Sequence, residues 1–261
     1  MSILDRIVAH KKGEVAKLQA SIPQIHLEQA LSLAPQSLSL REFLQRPDKN
    51  GVIAEFKRQS PSAGAINRQA DVAKVARGYM AAGCAGISVL TDAHFFGGRA
   101  QDLKQVAAFA DVPLLRKDFI IAPYQITEAR TLGASVILLI ASILTKEEMA
   151  TFTAQAHDLG MEVLVEIHTR DEIGKIPKES DLVGINNRNL NNFKVELSHS
   201  VALRQALPSD FPVIAESGIS TSQDIAYLRQ HGFAGFLVGS ALMKQNDPAR
   251  ALADLVKETE E

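Results

Sequence analysis

The sequence contains a single cysteine, Cys84, among its 261 residues. One cysteine excludes a disulfide within the chain and any cysteine-rich metal site. The seven histidines are scattered and none of them forms an HxH or HxxxH pair, so a histidine metal site has little support. We therefore expect no metal ion, and we interpret Cys84 as a small buried residue next to a helix end.

The chain also lacks a strong excess of charge and a long apolar run. Its formal net charge is −2, which argues against the basic surface of nucleic-acid-binding proteins and against a polybasic membrane patch. The longest apolar run, residues 134–144, is too short to span a bilayer. The first 18 residues alternate charged and apolar side chains at helical spacing, which does not fit a signal peptide. A cytoplasmic protein without nucleic-acid or membrane partners is the expectation.

The chain does contain short apolar runs that recur along most of its length. None of them alternates polar and apolar residues, which is typical of strands buried on both faces of a parallel sheet. The runs cover residues 51–56, 86–90, 112–116, 134–140, 162–167, 182–186, 211–216 and 234–239. They predict eight strands.

Amphipathic segments with recognisable ends separate these runs. One segment begins with Thr145 and Glu148 at capping-box spacing and ends at Gly160, and another begins with Ser220 and Gln223 and ends at Gly232. Eight strand–helix units in a chain of this length predict a (β/α)8 TIM barrel. An open doubly wound sheet is the alternative, but no GxGxxG motif follows the first strand.

About 50 residues precede the first predicted strand. They contain a helical stretch at residues 3–19 and no linker rich in glycine, proline or serine. We therefore expect a single domain over residues 1–261, with a helical N-terminal extension at 1–50 and the barrel at 51–261.

Polar groups follow several predicted strands at their carboxyl ends, where TIM barrels carry their active sites. Buried charges are destabilising unless they pair with each other or with a ligand, so these groups predict one shared site. Lysines beside carboxylates suit general acid–base catalysis of an anionic substrate. A Schiff base on Lys57 or Lys117 is an open alternative at this point. The groups in question are Glu55, Lys57, Lys117, Glu166, Asn186, Glu216 and Ser217.

A phosphate site is predicted at the loops after strands seven and eight. Gly218 and the pair Gly239–Ser240 follow these strands, and each loop leads into a helix. Backbone amides at such glycine loops and helix starts form the recurrent phosphate site of TIM barrels. Ser60, in the loop after strand one, adds a hydroxyl.

These motifs together resemble the indole-3-glycerol phosphate synthase family of tryptophan biosynthesis. The matching stretches are ILDRIVAHKKGEV, IAEFKRQSPS, ISVLTDAHFFGG, LLRKDFI, GINNRNL, AESGI and VGSALM, and they occur in order over nearly the whole chain. The resemblance implies ring closure of 1-(2-carboxyphenylamino)-1-deoxyribulose 5-phosphate with loss of CO2 and water, a carboxy-lyase reaction without cofactor or metal. It also implies an N-terminal helix that helps to cover the active site. We expect a monomer.

The resemblance also implies a role for each candidate residue. Lys117 is the expected general acid, Glu166 the general base, and Lys57 the contact to the substrate carboxylate. Glu55 is expected to orient the lysines, and Asn186 and Glu216 to bind sugar hydroxyls, with support from Arg188 and Ser217. The remaining residues are expected to hold the phosphate (Ser60, Gly218, Gly239, Ser240) and to form an apolar wall for the anthranilate ring (Phe96, Phe119, Leu138, Leu190).

The sequence departs from the family pattern at Ala63, where many members have lysine, and at Arg99, where serine is frequent. Two competing functions are kept: a phosphosugar isomerase barrel of amino-acid biosynthesis, and a non-catalytic barrel that binds a phosphorylated ligand. Near the site, we expect Asp118 to be structural and His168 to lie on the rim as a loop residue. The lysine-rich segment at residues 9–17 is predicted to be a solvated helix face.

Overall fold

The computed structural model describes residues 2–188, 194–208 and 210–257, and its centre is a closed barrel of eight parallel strands. Each strand pairs with its neighbours in the chain, and the eighth closes on the first. The strands are β1 (Val52–Phe56), β2 (Gly86–Leu90), β3 (Leu114–Lys117), β4 (Val136–Ile140), β5 (Glu162–Ile167), β6 (Leu182–Asn186), β7 (Val213–Glu216) and β8 (Gly235–Val238). Each of them lies within or next to a predicted run, so the predicted (β/α)8 barrel is confirmed, and closure excludes an open doubly wound sheet.

Helices surround the barrel and also precede it. A 3-10 helix, Arg170–Lys175, takes the place of the α-helix after β5, and a two-residue hairpin, Gln59–Ser60 with Gly64–Ala65, follows β1. A second 3-10 helix spans Leu31–Leu33. The α-helices are α1 (Ile3–Ser21), α2 (Gln24–Ala30), α3 (Leu40–Phe43), α4 (Val72–Ala81), α5 (Ala93–Phe96), α6 (Ala100–Ala107), α7 (Pro123–Thr131), α8 (Lys146–Asp158), α9 (Leu197–Ala206), α10 (Ser222–Gln230), α11 (Ser240–Met243) and α12 (Pro248–Lys257).

The predicted start of α8 is confirmed, and that of α10 is one residue too early. Thr145 and Glu148 form the predicted capping box of α8. At α10 the cap is Thr221, whose hydroxyl accepts the amide of Asp224 at 3.1 Å. The Ser220 amide instead donates to the Asp224 carboxylate at 2.9 Å, so Ser220 lies before the cap.

The N-terminal extension contacts both ends of the barrel. At the amino ends of the strands, the Glu162 carboxylate accepts the amides of Leu40 and Arg41 at 2.8 and 3.2 Å, which fixes the start of α3. Leu40 and, from α1, Ile7 belong to the same apolar cluster as the inward side chains of the barrel. Among the described residues, no helix combines the length and the apolar character that crossing a membrane requires.

The prediction that residues 9–17 form a solvated helix face is wrong at Lys11. Lys11 is 1% exposed, and its Nζ lies 2.9 Å from both Asp92 and Asp118. Asp92 follows β2 and Asp118 follows β3, and both carboxylates lie directly under α1. Because three buried charges are stable only when paired, this cluster fixes α1 over the mouth of the barrel. Asp118 is therefore structural, as expected.

Candidate active site

A cavity of about 500 Å3 opens at the carboxyl ends of the strands. All the predicted site residues that the structure describes line it, and Leu190 lies outside the described residues. From β1 and its loop come Glu55, Lys57 and Ser60; from the β2 and β3 ends Phe96, Lys117 and Phe119; from β4 to β6 Leu138, Glu166, Asn186 and Arg188; and from β7 and β8 Glu216, Ser217, Gly218, Gly239 and Ser240.

Lys117 lies at the centre of the polar side of this cavity. Its Nζ is 2.7 Å from Glu166 Oε2 and 2.8 Å from Glu216 Oε2. Asn186 donates from Nδ2 to the other oxygen of Glu166 at 3.0 Å. On the opposite side, Lys57 Nζ lies 2.6 Å from Glu55 Oε1. Strand pairing explains the convergence, since inward side chains at the ends of neighbouring parallel strands meet over the barrel axis.

Burial and pairing shift the pKa values of this cluster in opposite directions. Burial by itself lowers the pKa of Lys117, but its carboxylate partners outweigh burial and raise that pKa above its ordinary value. Burial raises the pKa of Glu166, but the charge of Lys117 and the contact with His168 outweigh it and hold the pKa well below its usual range. The pKa of Glu216 rises to about 7, because burial and the charge of Glu166 together outweigh Lys117. The cluster therefore holds a charged lysine, a charged carboxylate and a second carboxyl that titrates near neutrality.

Two glycines, one in β6 and one directly after β8, make room for the carboxylates of the adjoining strands β7 and β1. A Cβ on Gly184 of β6 would lie 2.1 Å from Glu216 Oε1, and one on Gly239 would lie 2.3 Å from Glu55 Oε1. Heavy atoms do not approach this closely, so any larger residue at either position would displace a carboxylate. Sequence reasoning did not identify Gly184, although a glycine inside an otherwise β-branched strand is a known sign of such a close approach.

The loop after β7 has an unusual backbone. Ser217 has φ of 67°, a conformation that is uncommon for a residue other than glycine, and Gly218 follows with φ of 79°. The buried side chain of Asn187 holds this bend by donating from Nδ2 to the carbonyls of Glu216 and Ser217 at 3.0 and 2.8 Å. Asn187 was missed from the sequence, where it reads as one more polar loop residue.

The opposite side of the mouth carries the predicted serine and an additional lysine. Ser60 Oγ accepts the amide of Ala63 at 3.1 Å within the first loop. Lys244, at the end of α11, also lines the cavity and was not predicted. It adds a positive charge to the side where Ser217, Gly218, Gly239 and Ser240 gather. Arg99 lies outside the cavity lining at the start of α6, and nothing in the structure explains its departure from the family pattern.

The remaining wall of the cavity is apolar. The rings of Phe96 and Phe119 lie with centroids 5.9 Å apart, and Leu138 lines the cavity beside them. Helix α1 contributes residues that were not predicted, Ile3, Leu4 and Ile7. Phe95 instead packs against His10 and His94 outside the cavity.

His168 is a loop residue directly after β5, as expected, but it is buried rather than exposed on the rim. It is 9% exposed, and its Nε2 lies 3.1 Å from Glu166 Oε1. The signal was available, because His168 follows Glu166 by two residues and successive residues of an extended chain alternate between faces. Cys84 is buried after α4, as expected, and is remote from the cavity lining.

The chain is similar along its whole length to one protein family. The sequence model described as "Indole-3-glycerol phosphate synthase" matches residues 4–255. The indole-3-glycerol phosphate synthase of Bacteroides thetaiotaomicron is 41% identical over 98% of this chain and 98% of its own length. That of Paracidovorax citrulli is 44% identical over 97% of this chain and 98% of its own length.

Solved structures with much lower sequence identity have the same fold. Thiamine phosphate pyrophosphorylase from Pyrococcus furiosus superposes with a TM-score of 0.60 at 16% identity, covering 85% of this chain and 98% of that one. A chain of the Pyrococcus furiosus tryptophan synthase α2β2 complex superposes with a TM-score of 0.58 at 14% identity, covering 82% and 98%. At these identities the likeness concerns the fold alone.

Proposed function

The chain belongs to the indole-3-glycerol phosphate synthase family, and from this premise we propose which of its side chains carry each step of the reaction. The activity is that of a carboxy-lyase in tryptophan biosynthesis. The proposed substrate is 1-(2-carboxyphenylamino)-1-deoxyribulose 5-phosphate. The two chemical halves of the cavity support this assignment, since an anionic aromatic amine with a phosphate tail needs an apolar wall, cations and an anion site.

The anthranilate ring would lie against Phe96, Phe119 and Leu138, and the phosphate against the loops after β7 and β8. In this orientation the ribulose chain crosses the polar side of the cavity, where Lys117, Glu166 and Glu216 meet. Lys57 would contact the substrate carboxylate, and Glu55 at 2.6 Å would hold Lys57 in position. The remaining predicted contacts to the sugar and phosphate are Asn186, Arg188, Ser217, Ser60, Gly218, Gly239 and Ser240, with Leu190 on the apolar wall.

Lys117 would act as the general acid in ring closure. As the ring carbon bearing the carboxylate attacks the ribulose carbonyl, the carbonyl electron pair moves to oxygen and takes a proton from Lys117. The raised pKa keeps the Lys117 ammonium charged near neutrality, so a proton is held where the oxyanion forms. Release of CO2 then returns the electron pair of the broken bond to the ring.

Glu166 would act as the general base in the following dehydration. The new hydroxyl leaves as water with a second proton from the lysines, and Glu166 removes a proton from the neighbouring carbon to form the indole double bond. The depressed pKa of Glu166 supports this role, because the carboxylate is ionised before the step. We further propose that the chain acts as a monomer. A cytoplasmic location suits the unpaired, buried thiol of Cys84.

The observation that carries the proposal is the position of Lys117 between two carboxylates over the barrel axis. The direct test is a fluorescence assay of indole-3-glycerol phosphate formation by the purified chain. Turnover without added metal or cofactor is the expected result. Absence of turnover from protein shown to be folded by circular dichroism would contradict the proposal and favour a non-catalytic phosphate-binding barrel.

A further inference from the structure

The proposed reaction consumes one proton from solvent in each turnover. Two protons enter, one on the ribulose carbonyl oxygen and one on the departing hydroxyl, which leaves as water. One proton returns when Glu166 deprotonates carbon, and the substrate carboxylate leaves as CO2 without one. Glu166 can restore one lysine directly, since Lys117 Nζ is 2.7 Å away. The second proton must come from outside the cavity.

A histidine connects the buried carboxylate of Glu166 to the protein surface. His168 Nε2 faces Glu166 Oε1 at 3.1 Å, and His168 Nδ1 faces Ser142 Oγ at 3.2 Å. Ser142 is exposed and donates to Glu172 Oε1 at 2.6 Å. The imidazole thus has one nitrogen toward the site and the other toward solvent.

We propose that His168 is a proton relay that recharges the Lys117–Glu166 pair from solvent, a proposal that rests on the proposed function. A proton enters at the Ser142–Glu172 surface and binds Nδ1, and the proton on Nε2 passes to Glu166 and on to Lys117. No bond other than these N–H and O–H bonds forms or breaks. Imidazole suits this task because either nitrogen accepts or donates a proton.

The arrangement around His168 fits a relay better than a purely structural contact. Among the described residues, Nε2 has no aligned hydrogen-bond partner despite its 3.1 Å contact with Glu166. A buried polar atom without such a partner is uncommon unless it has a functional reason. A small rotation of the ring or of the carboxylate would align the two groups when a proton is transferred.

The charged groups that face His168 all favour its protonated form. Glu166 lies on the inner side, Glu172 on the outer side with Oε2 at 3.9 Å from Nδ1, and Glu216 lies beyond Glu166. His199 donates to the backbone carbonyl of His168, not to its imidazole ring, at 2.8 Å. Burial lowers the pKa of His168, but these carboxylates outweigh burial and raise it, which keeps the imidazole able to carry a proton near neutral pH.

The test compares His168→Gln with the wild type, with exogenous imidazole as a rescuing proton carrier. We expect kcat to fall by roughly 10- to 100-fold with KM nearly unchanged, and added imidazole to restore kcat in a saturable way. His157→Gln is the matched control, since His157 also pairs with a carboxylate, Asp181 at 2.8 Å, away from the cavity lining. The His157→Gln variant should keep the wild-type kcat and show no response to added imidazole.

A folded His168→Gln variant that keeps the wild-type kcat, or whose loss imidazole does not reverse, would overturn the relay. The wild type in the same assay separates the two proposals: if it makes no product, the proposed function itself fails. If it turns over normally and only the rescue fails, the relay alone is wrong.

Glu172→Gln provides a second test that does not depend on the stability of the His168 variant. Removing the outer carboxylate removes one of the charges that raise the pKa of His168, so that pKa falls. The relay then loses its protonated form at lower pH, and the alkaline limb of the kcat profile should shift to lower pH. An unshifted alkaline limb would count against the relay.

Discussion

At the residue scale, the ion pairs of the cavity contain three carboxylates and two lysines. Glu55, Glu166 and Glu216 face Lys57 and Lys117, and all three carboxylates are buried. The excess negative charge is relieved at Glu216, whose pKa is raised to about 7 by burial and by its neighbours. The charged form of Glu216 is therefore unfavourable in the folded protein.

This excess charge predicts a stability change for Glu216→Gln that depends on pH. The folded-state pKa of about 7 lies above the ordinary 4.5, so the stability contributed by the protonated carboxyl is complete below 4.5 and lost as pH rises through 7. Glutamine stays neutral throughout. At pH 8 the variant should be more stable than the wild type by on the order of 1–3 kcal/mol, and at pH 4.5 the two should be alike. Denaturant unfolding at both pH values measures this, and an equal difference at both would contradict the raised pKa.

Some residues of the site could be predicted from sequence and others could not, for a physical reason. Glu55 and Lys117 could be predicted because a charged side chain at the carboxyl end of a buried strand is expected to point into the mouth of the barrel. Lys11 shares a helical face with Ile7 and Val15 and is buried, whereas Lys12 is exposed, but the helical pattern does not show how a buried lysine is tolerated. It is tolerated because of Asp92 and Asp118, which are far along the chain and meet Lys11 only after the barrel has closed.

At the scale of single elements, the site depends on a glycine that leaves room for a neighbouring carboxylate and on a helix that covers the cavity. Strand β6 has Gly184 where a side chain would collide with Glu216. Helix α1 covers the cavity with the apolar side chains of Ile3, Leu4 and Ile7. Neither contribution follows from periodicity, since both depend on which element lies opposite.

Gly184→Ala tests the contribution of β6. Its Cβ would lie 2.1 Å from Glu216 Oε1, so the carboxylate must leave the position in which Oε2 binds Lys117. We expect kcat to fall about tenfold or more while the protein still folds. Gly174→Ala is the control, because a Cβ there meets nothing within 4 Å, and it should leave kcat unchanged. Equal kcat values for both variants would show that Glu216 tolerates displacement.

Lys11→Met tests the attachment of α1. The substitution leaves Asp92 and Asp118 buried without their cation, and breaking such a pair on one side destabilises proteins by about 3–5 kcal/mol. Lys12→Met removes the neighbouring exposed charge and should change the free energy of unfolding by less than about 0.5 kcal/mol. Urea denaturation of both variants decides the matter, and coincident midpoints would mean that the buried cluster does not hold the helix.

At the scale of the whole molecule, the barrel was accessible from sequence because its strands are buried on both faces. Continuous apolar runs such as 134–140 and 162–167 then stand out from the amphipathic helices between them, and β4 and β5 lie inside those runs. The way the extension contacts both ends of the barrel was not accessible. It rests on single long-range contacts, such as Glu162 with the start of α3 and Lys11 with Asp118.

The central claim is that Lys117 is the acid that drives ring closure, and Lys117→Met tests it most directly. Methionine keeps most of the length of the side chain but has no proton to donate, so product formation in the fluorescence assay should fall by about 10²–10⁴-fold. Substrate binding, followed by isothermal titration, should persist because Lys57 and the phosphate loops remain. Lys104→Met, on the exposed face of α6, is the matched control and should keep full turnover. Near-normal turnover in Lys117→Met would contradict the account.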